Sequence, residues 1–148
     1  MVQDRIEREV VVAAPPERVW EIITQAEHVG KWFGDSAEVD LRPGGTIVLR
    51  WEKYGTQYAT IEKIDEPRYF SYRWEPGVTD QKPSNADSTL VEFTLTPHEG
   101  QTRLRVVETG FSRLSRKESE RAEQFESNTE GWATKLRGLQ EYVEGLAA

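Results

Sequence analysis

The chain has 148 residues, 19 Lys and Arg against 26 Asp and Glu, a formal net charge of -7 and no cysteine. A domain of this length buries about 70% of its unfolded surface, which leaves room for one core and not for two. The missing cysteines exclude disulfides and thiolate metal sites, and without a Lys/Arg cluster interleaved with aromatics there is no footprint for nucleic acid.

The opening residues include Asp4, Arg5, Glu7, Arg8 and Glu9, so no uncharged apolar leader is visible. No apolar run reaches the roughly 20 residues of a membrane span. The expectation is one soluble, cytoplasmic domain over residues 1–148, with no membrane partner.

Residues 6–13 are rich in β-branched side chains of mixed parity, which suits a strand exposed at its start and buried at its end. Pro15 and Pro16 stop it. Proline is tolerated in a first helical turn, so residues 16–24 read as a short helix with Val19, Trp20, Ile22 and Ile23 on its apolar side. A second helical stretch, 26–33, ends at Gly34, and Trp32 and Phe33 read as a hydrophobic plug beneath the pair.

From Ser36 the period switches to two, with Ala37, Val39 and Leu41 against Glu38 and Asp40, and Arg42-Pro43-Gly44-Gly45 supplies turn chemistry. No GKS or GKT follows these glycines, so this is a hairpin and not a phosphate loop. The returning strand, 46–52, shows Ile47, Leu49 and Trp51 on one face, and a strand at 57–64 is broken by Asp65-Glu66-Pro67. Residues 68–75 place Phe70, Tyr72 and Trp74 on one side. The polar loop 76–87 is long for a compact domain and is expected to be the most mobile internal segment, near a pocket mouth. Two more strands follow around the turn His98-Glu99-Gly100, with Val91, Phe93 and Leu95 inward on the first and Leu104, Val106 and Glu108 on the second.

Ser115 and Glu118 stand in capping-box relation, as do Ser127 and Glu130. The expectation is a short charged helix at 115–122, a break, and a long helix at 125–146. Phe125, Trp132, Leu136, Leu139, Val143 and Leu146 repeat at the spacing of one helix face, a stripe roughly 33 Å long. Gly131 and Gly138 fall a heptad apart on its flank, where a strand backbone could come close. Asn128 lies near the stripe, either as a satisfied core amide or as part of a cavity wall.

The two histidines, His28 and His98, have no reason in the pattern to meet, so no metal site is expected. No nucleophile elbow, triad order or nucleotide loop is present, and no cofactor is implied. Glu108 is the one titratable group placed on the inner sheet face. Buried among apolar groups its pKa should rise; the alternative is an end-of-strand carboxylate paired with an arginine or wet at a cavity mouth.

Six motifs in order carry a resemblance over nearly the whole chain: Ala14-Pro15-Pro16-Glu17 with Val19-Trp20, Trp32-Phe33, Pro43-Gly44-Gly45, Tyr72-Arg73-Trp74, Glu108-Thr109-Gly110-Phe111, and Gly131-Trp132 followed by Leu136 and Leu139. Together they resemble the domain family of the activator of heat-shock protein 90 ATPase homologues, within the START-like or Bet v 1-like superfamily. Ala59 departs from the glycine that the family often places in its fourth strand, and the eukaryotic cochaperone's separate N-terminal chaperone-binding domain is absent from this sequence.

The resemblance implies an α+β helix-grip fold, in which an antiparallel sheet of about six to seven strands curves around the long C-terminal helix, with two short helices after the first strand. It also implies an elongated apolar pocket between sheet and helix. By parity that pocket takes Leu49, Trp51, Phe70, Tyr72, Trp74 and Phe93 from the earlier strands, Leu104, Val106 and Glu108 from the last, and Asn128 and Trp132 from the helix, with its gap beside Asn128 and Gly131. The expected function is binding of an unidentified apolar or amphipathic small molecule. Two rivals follow from the same resemblance: a module docking on a heat-shock protein 90-type chaperone, and a cyclase- or dehydratase-like enzyme using Glu108 or Tyr72 as acid or base. Nothing in the pattern decides between a monomer and a homodimer.

Overall fold

The computed structural model describes residues 4–75 and 87–147. Of the polar loop expected at 76–87, only Asp87 falls within them. The elements run β1 (Arg5–Val12), α1 (Pro16–Thr24), α2 (Ala26–Trp32), β2 (Ser36–Val39), β3 (Thr46–Trp51), β4 (Gly55–Asp65), β5 (Tyr69–Trp74), β6 (Thr89–His98), β7 (Gln101–Thr109), a 3-10 turn (Phe111–Arg113) and α3 (Glu118–Ala147). The strands form one antiparallel sheet in the order β1-β7-β6-β5-β4-β3-β2. This is the helix-grip arrangement: one sheet, one long helix across it, and α1 and α2 closing the side.

Alternation decides which side of the sheet is wet. Phe70 pairs with Phe93, Phe93 with Val106, Tyr72 with Val91 and Val91 with Glu108, so the inward residues of three strands lie in rows. The outward face carries charged pairs from β1, β4, β5 and β7: Glu7 meets Arg5 and Arg105, Glu9 meets Arg103, and Glu62 meets Arg73. Such exposed pairs contribute little each, about 0–1 kcal/mol, but they hold the convex face in water. The β6–β7 register is set by its two-residue turn, where Glu99 (φ 51) and Gly100 (φ 81) both take positive φ as the tight hairpin turn demands.

The two short helices are tied by Trp32, whose indole Nε1 donates to the Ile22 carbonyl at 2.9 Å. Across the sheet α3 buries Trp132, Leu136, Leu139 and Val143 almost completely. Its polar flank is anchored as well, since Gln140 Nε2 donates to the Val11 carbonyl of β1 at 3.0 Å. Among the described residues no helix is long and apolar enough to cross a membrane.

Three expectations need correction. The C-terminal helix is not broken: α3 is one helix of 30 residues, roughly 45 Å long at about 1.5 Å per residue. Residues 118–124 contain no Gly, Pro or β-branched side chain, and the helix start is marked by Glu120, whose Oε1 accepts the Lys117 backbone N–H at 3.1 Å. The Ser127/Glu130 pattern is therefore passed through as ordinary helix. The apolar stripe also ends early, because Leu146 is 44% exposed. Finally, neither helix glycine admits a strand: a Cβ on Gly131 would meet nothing within 4 Å, and one on Gly138 would lie 3.9 Å from the Trp32 carbonyl at the end of α2.

Candidate functional site

The alternation that buries Leu104 and Val106 on β7 also carries Glu108 to the inner face, where it is fully buried. Among the described residues no cation pairs with it. Instead four donors from three elements converge on its carboxylate. Trp132 Nε1 donates to Oε1 and Trp74 Nε1 to Oε2, both at 2.8 Å. Asn128 Nδ2 lies 3.0 and 3.2 Å from the two oxygens, and the Thr89 hydroxyl donates to Oε2. Behind Asn128 the polarity continues outward in one sense: Gln124 Nε2 donates to Asn128 Oδ1 at 2.8 Å, and Arg116 Nη1 donates to Gln124 Oε1 at 3.2 Å. Arg116 also pairs with Glu75 at 3.1 Å.

Burial pushes the Glu108 carboxyl above its ordinary value, and the bonds from Thr89, Trp74, Trp132 and Asn128 pull it back only in part. Burial likewise pushes the Tyr72 phenol well above its ordinary value, with the nearby Glu108 charge adding to the rise. Glu108 is thus the buried, raised carboxyl of the first sequence reading. The arginine of the alternative reading reaches it only through two amides.

Beside this cluster a cavity of about 210 Å³ opens to solvent between α3 and the end of the sheet formed by β3, β4 and β5. Its apolar walls are the rings of Phe33, Trp51, Trp74 and Trp132, and Gly131 leaves its space open. Phe33 is the hub, with ring centroids 6.2 Å from Trp51, 5.8 Å from Trp74 and 5.8 Å from Trp132. Trp74 and Trp132 stack at 5.8 Å and 29°, so the two indoles that grip Glu108 also pack on one another. The polar lining comes from Gln57 on β4 and from Gln124, Ser127, Asn128 and Lys135 on α3. Lys135 Nζ donates to the Phe33 carbonyl at 2.6 Å and lies 5.5 and 5.7 Å from the Phe33 and Trp51 ring centroids. Its partial burial pushes the ammonium below its ordinary value, with Asp35 opposing.

Deeper under the sheet the picture changes. Leu49, Phe70, Tyr72 and Phe93 surround a second void of only about 20 Å³, room for about one water. Of the residues placed in the pocket by sequence, Trp51, Trp74, Asn128 and Trp132 line the open cavity, and Leu49, Phe70, Tyr72 and Phe93 pack the closed end. Leu104, Val106 and Glu108 line neither. All three are buried on the same face, but Glu108 is screened by its donors and the other two belong to the packed core. His28 meets Tyr142 at 2.7 Å, far in sequence from His98, and no metal-binding group of side chains occurs among the described residues.

Phe33, Gln57, Gln124, Ser127 and Lys135 were not singled out as lining by sequence. Phe33 plugs the helix pair as expected and walls the cavity as well. For the helix residues a signal existed: Gln124, Asn128, Gly131 and Lys135 are spaced four, three and four, a second stripe of polar or small residues alongside the apolar one.

Against known proteins, the family model described as Activator of Hsp90 ATPase homolog 1-like protein matches residues 13–144. Among solved structures, protein MLL2253 from Mesorhizobium loti is 19% identical with a TM-score of 0.77, covering 95% of this chain and 96% of that chain. The Aha1 dimer from Colwellia psychrerythraea is 18% identical with a TM-score of 0.76, covering 96% and 97%. Protein Ms6760 from Mycobacterium smegmatis is 24% identical with a TM-score of 0.70, covering 93% and 89%. At these identities the likeness is one of fold. No curated protein sequence matches the chain.

Proposed function

Since the chain belongs to the Activator of Hsp90 ATPase homolog 1-like family, whose helix-grip fold lends itself to enclosing ligands, we propose that it binds a small apolar or amphipathic molecule beside α3. The observation that carries this reading is the cavity of about 210 Å³, walled by four aromatic rings and open to solvent. Binding pockets are apolar with a few placed polar groups, and drug-sized ligands occupy about 300–1,000 Å³. The ligand is therefore small, or it protrudes through the mouth.

Acid–base catalysis by Glu108 or Tyr72 draws less support. Both are buried, and the carboxylate oxygens of Glu108 are engaged by Trp74, Thr89, Asn128 and Trp132 rather than turned to the cavity. The family description supports a second reading, a module that docks on a heat-shock protein 90-type chaperone. Against it, among the described residues the exposed large hydrophobics are just Val11, Leu41, Tyr54 and Leu146, few for an apolar protein-docking patch.

Native mass spectrometry of the purified protein, with a thermal-shift screen of fatty acids, flavonoids and polyketide-like aromatics, tests the proposal. A ligand at a hundred times its dissociation constant stabilises the fold by about 2.7 kcal/mol. A bare protein mass and no shift across the panel would overturn it, and a stoichiometric chaperone in a pull-down would put the second reading in its place.

A further inference from the structure

We propose that the ligand is a small, flat carboxylic acid, its aromatic body among Phe33, Trp51, Trp74 and Trp132 and its carboxylate on the Lys135 ammonium. This rests on the cavity-binding reading and adds the chemical class of the ligand.

Apart from the neutral hydroxyl of Ser127, the polar lining leaves little besides Lys135 to anchor a ligand. Asn128 is engaged on both sides of its amide, by Gln124 at its oxygen and by Glu108 at its nitrogen. Gln124 takes a bond from Arg116 at its own oxygen, and Gln57 Nε2 donates to the Glu75 carbonyl at 3.0 Å. Glu108 is sealed behind its donors. Lys135 differs. An ammonium has three N–H donors, and one of them is used, on Phe33. Among the described residues no carboxylate comes within ion-pairing distance of it. A cation partly withdrawn from water, touched by the charge of Asp35 but bonded to no carboxylate, over two rings and beside a cavity is a place for an anion.

The walls specify the rest of the molecule. Four aromatic rings line the space, and stacked or edge-to-face aromatic pairs gain about 0.5–1.5 kcal/mol beyond their buried area. A planar aryl group can form such pairs where a flexible chain cannot, and it loses less conformational entropy on binding. Gly131 stands one turn before Lys135 on the same face of α3, so the space left by its missing side chain adjoins the charge.

Lys135 also lies at the C-terminal end of α2, where a cation favours the free carbonyls, and capping the Phe33 carbonyl could be its whole purpose. A matched pair of probes separates the two roles. Calorimetry with 2-naphthoate and its neutral analogue 2-naphthamide is run on the wild type, Lys135→Gln, Lys135→Met and Lys135→Arg. Glutamine keeps a donor for the carbonyl without the charge, and it reads the same difference where methionine fails to fold.

The expected result is naphthoate binding about tenfold more tightly than naphthamide to the wild type, the scale of a partly buried ion pair. Lys135→Gln should abolish that preference while leaving naphthamide affinity within about twofold, and Lys135→Arg should retain most of it. Equal affinities in the wild type, or a preference that survives Lys135→Gln, would overturn the anchor while leaving the cavity reading standing, since both probes would still bind. If neither probe binds, this proposal falls; if the wider ligand screen is silent too, the cavity reading falls with it.

Discussion

Replacing Glu108 by glutamine tests whether the carboxyl is held neutral or charged, and the sign follows from linkage. In the folded chain burial raises its pKa above the ordinary 4.5. Between that value and the raised one, the folded state keeps a proton that the unfolded state has released. Stability from Glu108 is therefore fully present below about pH 4.5 and is lost as pH rises through the folded value, by at most about 1.4 kcal/mol per pH unit. Glutamine has no such slope. It offers one acceptor where the carboxylate offered two, so one indole N–H, of Trp74 or Trp132, faces an amide nitrogen and loses its bond. An orphaned buried donor costs about 1–3 kcal/mol. Near pH 4.5 Glu108→Gln should thus be less stable than the wild type by about that amount, and the gap should narrow or reverse as pH rises. Urea melts of both proteins across this range, read as a difference, isolate the effect. Asp4 and Glu7, whose pKa values are lowered, titrate below it and cancel. A difference constant from about pH 4 to 8, or one that grows in favour of the wild type, would show that the four donors outweigh burial and would refute the reasoning.

Trp132→Ala should cost about 3–5 kcal/mol in denaturant melts, because a nearly fully buried indole leaves both a hole and an unmade bond to Glu108; a loss below about 1 kcal/mol would place the ring outside the core. Gly131→Ala should stabilise the protein by about 0.5–1 kcal/mol, since the added methyl meets nothing within 4 Å and glycine is a poor helix former. Gly131→Phe should keep the fold and abolish ligand-induced thermal shifts by filling the cavity. Leu104→Trp, by contrast, overpacks a fully buried site that lines neither void and should cost about 1–3 kcal/mol without blocking the cavity, checked by melts with and without ligand.

Strand alternation was legible because each strand has one wet face: Phe70, Tyr72 and Trp74 had nowhere to go but inward, and Arg73 nowhere but out. The break placed near Phe125 misread two successive capping patterns. A Ser-x-x-Glu pair marks a helix start only where the preceding residues are unfit for helix, and residues 118–124 are good helix formers. Glu108 could be put on the inner face by parity, yet its partners come from β5, β6 and α3, separated by up to 34 positions, and no local pattern encodes their convergence. Asn128 and Gly131, where the sequence lacks bulk, line the open cavity. Its extent is not legible in the pattern, because parity names the face a residue is on and not whether opposing side chains fill the space. Leu49, Phe70, Tyr72 and Phe93 share the cavity's face and close it off.

Apolar contacts are non-directional, so the stripe Trp132, Leu136, Leu139 and Val143 would by itself let α3 roll or slide on the sheet at small cost. The bonds from Asn128 and Trp132 to one carboxylate remove that freedom. They leave the helix one turn apart and meet on Oε1 of Glu108, at 3.0 and 2.8 Å. A slide of one residue, about 1.5 Å, or a rotation of a few tens of degrees, breaks both. Glu108 acts as a dowel between helix and sheet. Without it α3 would be held directionally by other bonds, such as those from Gln140 to Val11 and from Lys135 to Phe33, and the rings of Trp74 and Trp132, the Gly131 gap and the Lys135 ammonium would keep their spacing less strictly, so the chain would retain its fold while the cavity lost part of its fixed shape.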